Sequence, residues 1–158
     1  MERCKAISLK VNEYVRFLNN ATGKVRVIHG EQGGVVPLPD EVLIDGKTME
    51  AVNLRVFEYI KVRNKETGVV RTEKGPKLVF LGAFDCFLGE TEEAIEIDEE
   101  TAVLVRNKET GQQHLVTEKK LFVPADNEEI MDVQKLIKLA DYQACIIRDK
   151  DGKGEANK

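Results

Sequence analysis

Few residues in this chain belong to types that make or break bonds. Ser8 is the only serine, and it stands in the strand-like entry Ile7-Ser8-Leu9 with no glycine beside it. The G-x-S-x-G turn that lifts a nucleophilic serine out of a sheet is therefore absent. Cys4, Cys86 and Cys145 are odd in number and far apart, which fits buried thiols in a reducing compartment better than a disulfide framework or a zinc site. His29 and His114 have no Cys, His, Asp or Glu at ligand spacing. The run Asp149-Lys150-Asp151-Gly152-Lys153-Gly154-Glu155 gathers carboxylates around a turn glycine, but it lacks a third acid before the glycine and a glutamate at the twelfth position of a calcium loop. Gly33-Gly34 open no helix, so no phosphate loop is indicated. The expectation is a protein with no catalytic residue, no metal site and no cofactor.

What remains for chemistry is recognition by charge and apolar contact. Between Asp85 and Glu100 the chain carries eight acids and no base, among them Glu92, Glu93, Glu96 and Asp98. The stretch before it is basic, with Lys61, Arg63, Lys65, Arg71, Lys74 and Lys77. Opposite charge on successive pieces of one chain can set the register between neighbouring copies. Phe84 and Phe87 lie in the most apolar loop-like stretch, Gly82 to Leu88. Arg63, Lys65, Arg71, Glu92, Glu93, Glu96, Asp98, Phe84 and Phe87 are accordingly the candidate interaction surface, to be tested by the salt dependence of self-association.

These side chains must be positioned by a repeated element. Val62-Arg63-Asn64-Lys65-Glu66-Thr67-Gly68 recurs unchanged as Val105 to Gly111, and both align without gaps on Phe17 to Gly23; Ala144 to Gly152 matches again, one residue shorter. The marker glycines Gly23, Gly68, Gly111 and Gly152 are 45, 43 and 41 residues apart. Before each marker, apolar residues alternate: Val15/Phe17, Ile60/Val62, Val103/Val105 and Cys145/Ile147. Alternation with period two predicts a strand whose other face is partly polar (Arg16, Lys61, Arg63, Arg106, Arg148). The glycine suits the positive φ of a short hairpin loop, and a returning strand follows. Ala51 to Leu54, Ala94 to Ile97 and Leu136 to Leu139 each lie eight residues before the next hairpin and read as strands feeding it; by composition the segment from Ile130 to Leu139 could also be a short helix.

The predicted fold is therefore all-β, a tandem array of small antiparallel sheet domains of about 43 residues each, leaning on their neighbours. The expected units are 1–50, 51–93, 94–135 and a truncated fourth at 136–158. In that fourth unit the first strand is expected to lack its returning partner, and Lys153 to Lys158 to fray.

The chain has 158 residues, 24 basic and 28 acidic, for a net charge of −4; 42% are hydrophobic, 33% charged and 6% aromatic. That charge favours neither nucleic acid nor an anionic membrane, and the apolar content argues against disorder. No run of about 18 apolar residues and no secretory leader occur, so a cytoplasmic protein is expected.

Ala6-Ile7 with Leu9, Asn12-Glu13-Tyr14-Val15, Thr22-Gly23-Lys24-Val25-Arg26, Ile28, Gly30 and Asp40-Glu41-Val42-Leu43, in that order, resemble a repeat of the major vault protein family. Gly75-Pro76, Thr101 to Arg106, and His114-Leu115-Val116-Thr117 leading to Phe122-Val123-Pro124 are similar to segments of it as well. The resemblance covers nearly the whole chain. It implies stacked β repeats standing side by side as staves in the wall of a hollow ribonucleoprotein cage, non-catalytic, with lateral contacts and docking surfaces for protein cargo. The family's long protein continues into a shoulder domain and a coiled-coil cap helix, and no heptad pattern is present here. The expected partners are further copies of the chain or other vault-like repeat chains; a free-standing module docking a protein partner through an edge strand is the alternative.

Overall fold

A computed structural model describes residues 5–148 and 154–157. The chain is all-β, built of several small antiparallel sheets. The first repeat contains β1 (Ile7–Leu9), β2 (Glu13–Asn19), β3 (Val25–His29), β4 (Gln32–Val35), β5 (Glu41–Leu43) and β6 (Met49–Glu50). The second contains β7 (Val52–Leu54), β8 (Glu58–Asn64), β9 (Val70–Lys74), β10 (Lys77–Val79), β11 (Asp85–Phe87) and β12 (Glu92–Glu93). The third contains β13 (Ile95–Ile97), β14 (Thr101–Asn107), β15 (Gln113–Val116), β16 (Lys120–Phe122) and β17 (Glu128–Lys135), and the last hairpin is β18 (Cys145–Arg148) with β19 (Gly154–Asn157).

One plan recurs. A seven-residue central strand (β2, β8, β14) pairs on one edge with its hairpin partner (β3, β9, β15) and on the other with strands from the end of the repeat. In the first two repeats that second edge is made of two short pieces, β5 and β6 on β2, and β11 and β12 on β8. In the third, one continuous strand, β17, covers the whole of β14 with a bulge between Leu104 and Val105. A separate two-stranded ladder completes each repeat: β1 with β4, β7 with β10, β13 with β16.

The hairpin loops explain why the marker sequence repeats so faithfully. Asn64 Oδ1 accepts the amides of Glu66 and Thr67, Thr67 Oγ1 accepts the amide of Val69, and the Gly68 amide donates to the Asn64 carbonyl. Asn19, Thr22 and Gly23 make the same set, and so do Asn107, Thr110 and Gly111. The glycines sit at φ of +69°, +75° and +73°, where a β-carbon would be strained. Gly152 lies outside the described residues, as does most of the carboxylate run from Asp149 to Glu155.

The described chain forms two compact units. The first holds residues up to Ile95 with Val123–Asn127, and the second holds Glu96–Phe122 with the residues from Glu128 onward. In the first unit, Leu9, Val15, Phe17 and Val35 form one core, flanked by Ile7, Ile28 and Leu43. Leu54, Ile60, Val62, Val79 and Leu81 form the next, and Tyr14 of the first repeat is buried within it, with Val27 and Met49 packed alongside. Strand pleating accounts for this: Val15 and Phe17 point into their own repeat while Tyr14 points into the following one. In the second unit, Ile97, Ala102, Val103, Val105 and Phe122 are buried.

Three expectations need correction. The stretch around Asp85 to Phe87 is a strand rather than a loop. Ile137 to Leu139 form no strand: the extended segment is β17, ending at Lys135, and no described residue pairs with 137–139 as β10 and β16 pair with the equivalent β7 and β13. The last hairpin does have its returning strand, since β19 pairs with β18 from Cys145↔Asn157 to Arg148↔Gly154, and the backbone of 154–157 is ordered into that ladder rather than frayed.

Candidate interaction surface and the clamp between repeats

The most densely bonded polar group in the first unit is Arg16, whose side chain is only 8% exposed. It forms a two-pronged pair with Asp45, Nε to Oδ2 at 2.8 Å and Nη2 to Oδ1 at 2.5 Å. Its remaining nitrogen, Nη1, donates to the carbonyl oxygens of Asp85 at 3.1 Å and Gly82 at 3.4 Å. A guanidinium suits this position because its planar fork saturates a carboxylate and still has donors for carbonyls of the next repeat.

Asp85 is gripped from the other side. Its carboxylate accepts the Gly82 amide at 2.9 Å, Arg71 Nη2 at 2.7 Å and Asn64 Nδ2 at 3.3 Å. The Arg71 guanidinium, outweighing burial, holds the Asp85 carboxyl below the usual aspartate range. Glu73 is held low in the same way, first by Lys77 and then by Arg71. The turn from Gly82 to Asp85 is thus fixed by its carbonyls on Arg16 and by its carboxylate on Arg71.

The repeat position of Arg16 is Lys61 in the second repeat and Leu104 in the third. Lys61 Nζ donates to the carbonyl oxygen of Ala125 at 3.1 Å, a bond of the same kind, from central strand to a downstream loop. Sequence reading missed this clamp. The available signal was the alignment itself, which puts Arg, Lys and Leu at one place on the second face of the central strand.

The residues expected to form the interaction surface fall into two groups. Arg71 is consumed by Asp85 and Glu73. Glu92 accepts the Tyr59 hydroxyl, whose proton is held more tightly than usual by burial first and by Glu92 second. Asp98 accepts the Glu100 amide at 2.8 Å and a bond from Thr101, which lowers its pKa. Phe87 is half-buried against the second core. By contrast Arg63, Lys65, Glu93, Glu96 and Phe84 are exposed, and among the described residues no ion pair engages Arg63, Lys65, Glu93 or Glu96. Arg63 lies opposite Cys86 near one end of β8 while Glu93 lies opposite Glu58 at the other, so the strand presents free positive charge at one end and free negative charge roughly 17 Å away.

His29 stacks against Phe80, ring centroids 4.9 Å apart, and His114 Nε2 lies 3.9 Å from Glu128. Among the described residues no three His, Cys, Asp or Glu side chains converge as a metal site would require. No protein-family model matches the chain, and no curated protein matches it either.

Proposed function

We propose that this chain is a non-catalytic structural repeat protein that works through protein–protein contacts, in the manner that its resemblance to the wall repeats of the major vault protein family suggests. The observation that carries this reading is the sharing of cores between repeats: Tyr14, Val27 and Met49 of the first repeat pack into the core of the second. Architecture of that kind extends by adding units and leaves long flanks for lateral contact. Its partners are further copies of the chain or other chains with the same repeat, with protein cargo on the flanks, in the cytoplasm. Neither nucleic acid nor membrane is a direct partner; among the described residues no helix is long and apolar enough to cross a bilayer.

The contact chemistry is charge complementarity between the Arg63/Lys65 end and the Glu93 end of β8. Sedimentation velocity from low to high salt tests it, with negative-stain microscopy of the low-salt sample. Association that weakens as salt rises, and that Arg63→Glu with Lys65→Glu abolishes, is the expected result. A monomer at every salt and at high protein concentration would overturn it. The second reading, a module that docks a partner through an edge strand, is favoured by the exposed segment 137–139.

A further inference from the structure

The second repeat exposes a phenylalanine at each end of β8, at places where the other repeats hold polar residues. Before the strand, the Phe57 carbonyl accepts the Ala94 amide, as the Asn12 carbonyl accepts that of Ala51 and the Glu100 carbonyl that of Leu136. Beyond its far end, the Phe84 carbonyl accepts the Lys65 amide, as the Asp40 carbonyl accepts that of Asn20. The third-repeat residue at this second place is Asn127: it directly precedes Glu128, which lies opposite Asn107 as Asp85 lies opposite Asn64. What the repeats share at these two positions is a backbone bond, and that bond needs no aromatic side chain.

Neither ring is put away in a core. Phe57 is 57% exposed with Val56 beside it at 60%, and Phe84 is 41% exposed near Val69 at 63%. Phe84 also stands on a pinned backbone. The carbonyls of Gly82 and Asp85 are held by Arg16, the Asp85 carboxylate holds the Gly82 amide and Arg71, and the Phe84 carbonyl itself is held by Lys65. A ring presented from a fixed turn loses little conformational freedom when something covers it.

We infer that Phe84 and Phe57 are the apolar anchors of a contact between two copies of this chain, the Phe84 end of one copy seated against the Phe57 end of the other. Charge identifies the partner. Beside Phe84 stand Lys65, bonded to it through the backbone, and Arg63, opposite Cys86. Beside Phe57 stands Glu93, opposite Glu58 and directly before Ala94. Among the described residues no ion pair engages Arg63, Lys65 or Glu93. Each end therefore offers an exposed ring, an exposed valine and uncommitted charge, and the two charges are opposite in sign.

Two ends of like design and opposite charge complement each other, whereas an end meeting its own kind would set cation against cation or Glu93 against Glu93. The charges exclude the wrong pairing and steer the right one. The rings supply apolar burial, the term that aromatic residues bring to interface centres and that salt does not screen.

This inference rests on the reading of the protein as one that associates through the two ends of β8, and it adds the anchors that give the contact an apolar centre. Phe57→Asn and Phe84→Asn test it, because Asn12 and Asn127 already occupy these positions in the first and third repeats. Each variant should keep its circular dichroism spectrum and a thermal midpoint within about 2 °C of the native chain. In sedimentation velocity each should associate about tenfold more weakly or worse, at low and at moderate salt alike. Mixing the two variants should restore association, since Phe57→Asn keeps the Phe84 end and Phe84→Asn keeps the Phe57 end. A mixture no tighter than either variant alone, or a large loss of thermal stability that makes the rings structural, would overturn the inference. Salt-dependent association that ignores both substitutions removes the anchors and leaves the lateral-contact reading standing. A native chain that stays monomeric throughout removes that reading and this inference with it, and assigns the two ends to some other polypeptide.

Discussion

The junction between the first and second repeats and the start of the fourth repeat have opposite surfaces. At the junction, Tyr14 is fully buried in the following core and Arg16 is buried on Asp45 and two carbonyls of the following turn. At the fourth repeat, Ile137, Leu139, Tyr142 and Ile146 are exposed. Sequence character does not separate the two, since Ile137 and Leu139 are at least as apolar as Val52 and Leu54. What separates them is that, among the described residues, a covering strand lies on the second-repeat position and none lies on 137–139. Burial in such an array belongs to pairs of neighbours rather than to single repeats.

The sharpest way to break the contrast is to remove Arg16. Arg16→Ala leaves the Asp45 carboxylate half-enclosed without its partner and two loop carbonyls without a donor, and should cost about 4 kcal/mol, read as a lower urea midpoint. By contrast, Lys138→Ala in the fourth repeat breaks a surface pair with Lys138 61% exposed and should cost less than about 1 kcal/mol. Tyr14→Ala should follow at about 3 kcal/mol, from lost burial and the cavity left in the second core, while Tyr142→Ala, at 89% exposure, should stay within about 0.5 kcal/mol. Gly75→Ala should cost about 2–3 kcal/mol, because a β-carbon there would lie 1.8 Å from the Arg55 carbonyl oxygen, which cannot move independently of the chain.

Acid gives a gentler handle on the junction. Asp85 and Glu73 hold their protons less readily in the folded chain than in the unfolded one. The unfolded state therefore takes up protons first as pH falls. The stability these groups contribute is complete above the ordinary carboxylate range and is lost between about pH 5 and 3. Thermal midpoints measured across that interval should fall more steeply for the native chain than for Asp85→Asn. The smallest effect is expected at the open position, where Ile137→Lys should shift the midpoint by no more than about 0.5 kcal/mol of stability; a large loss there would mean that the segment is already covered.

The hairpins were legible because their signals are local. Asn, Thr and Gly at fixed places in a five-residue stretch determine the loop, and alternation of Val, Ile and Phe determines the central strand. The second edge of the first two sheets was not legible: β6 and β12 are two residues long and β5 and β11 three, too short to show a period, and Asp85 and Glu92 read as parts of one acidic run. The clamp was hidden for a related reason. Arg16 meets Gly82 and Asp85 across 66 and 69 positions of sequence, a distance at which no spacing rule connects a cation to a carbonyl. The strand expected at Ile137 to Leu139 failed because the pattern specifies a strand's willingness to pair, and the partner lies outside it.

The reach of Arg16 also sets an order of events while the chain is being made. The hairpin around Gly23 closes within a few residues of itself, on a scale of about 1–10 μs, and Asp45 follows 29 residues behind Arg16. Asp85 emerges 69 residues behind, which at roughly 5–20 residues per second is about 3–14 s later. Throughout that interval the first repeat carries a paired but half-hydrated guanidinium and an uncovered Tyr14. On the ribosome, the first repeat is therefore a waiting template, finished only when the second one arrives.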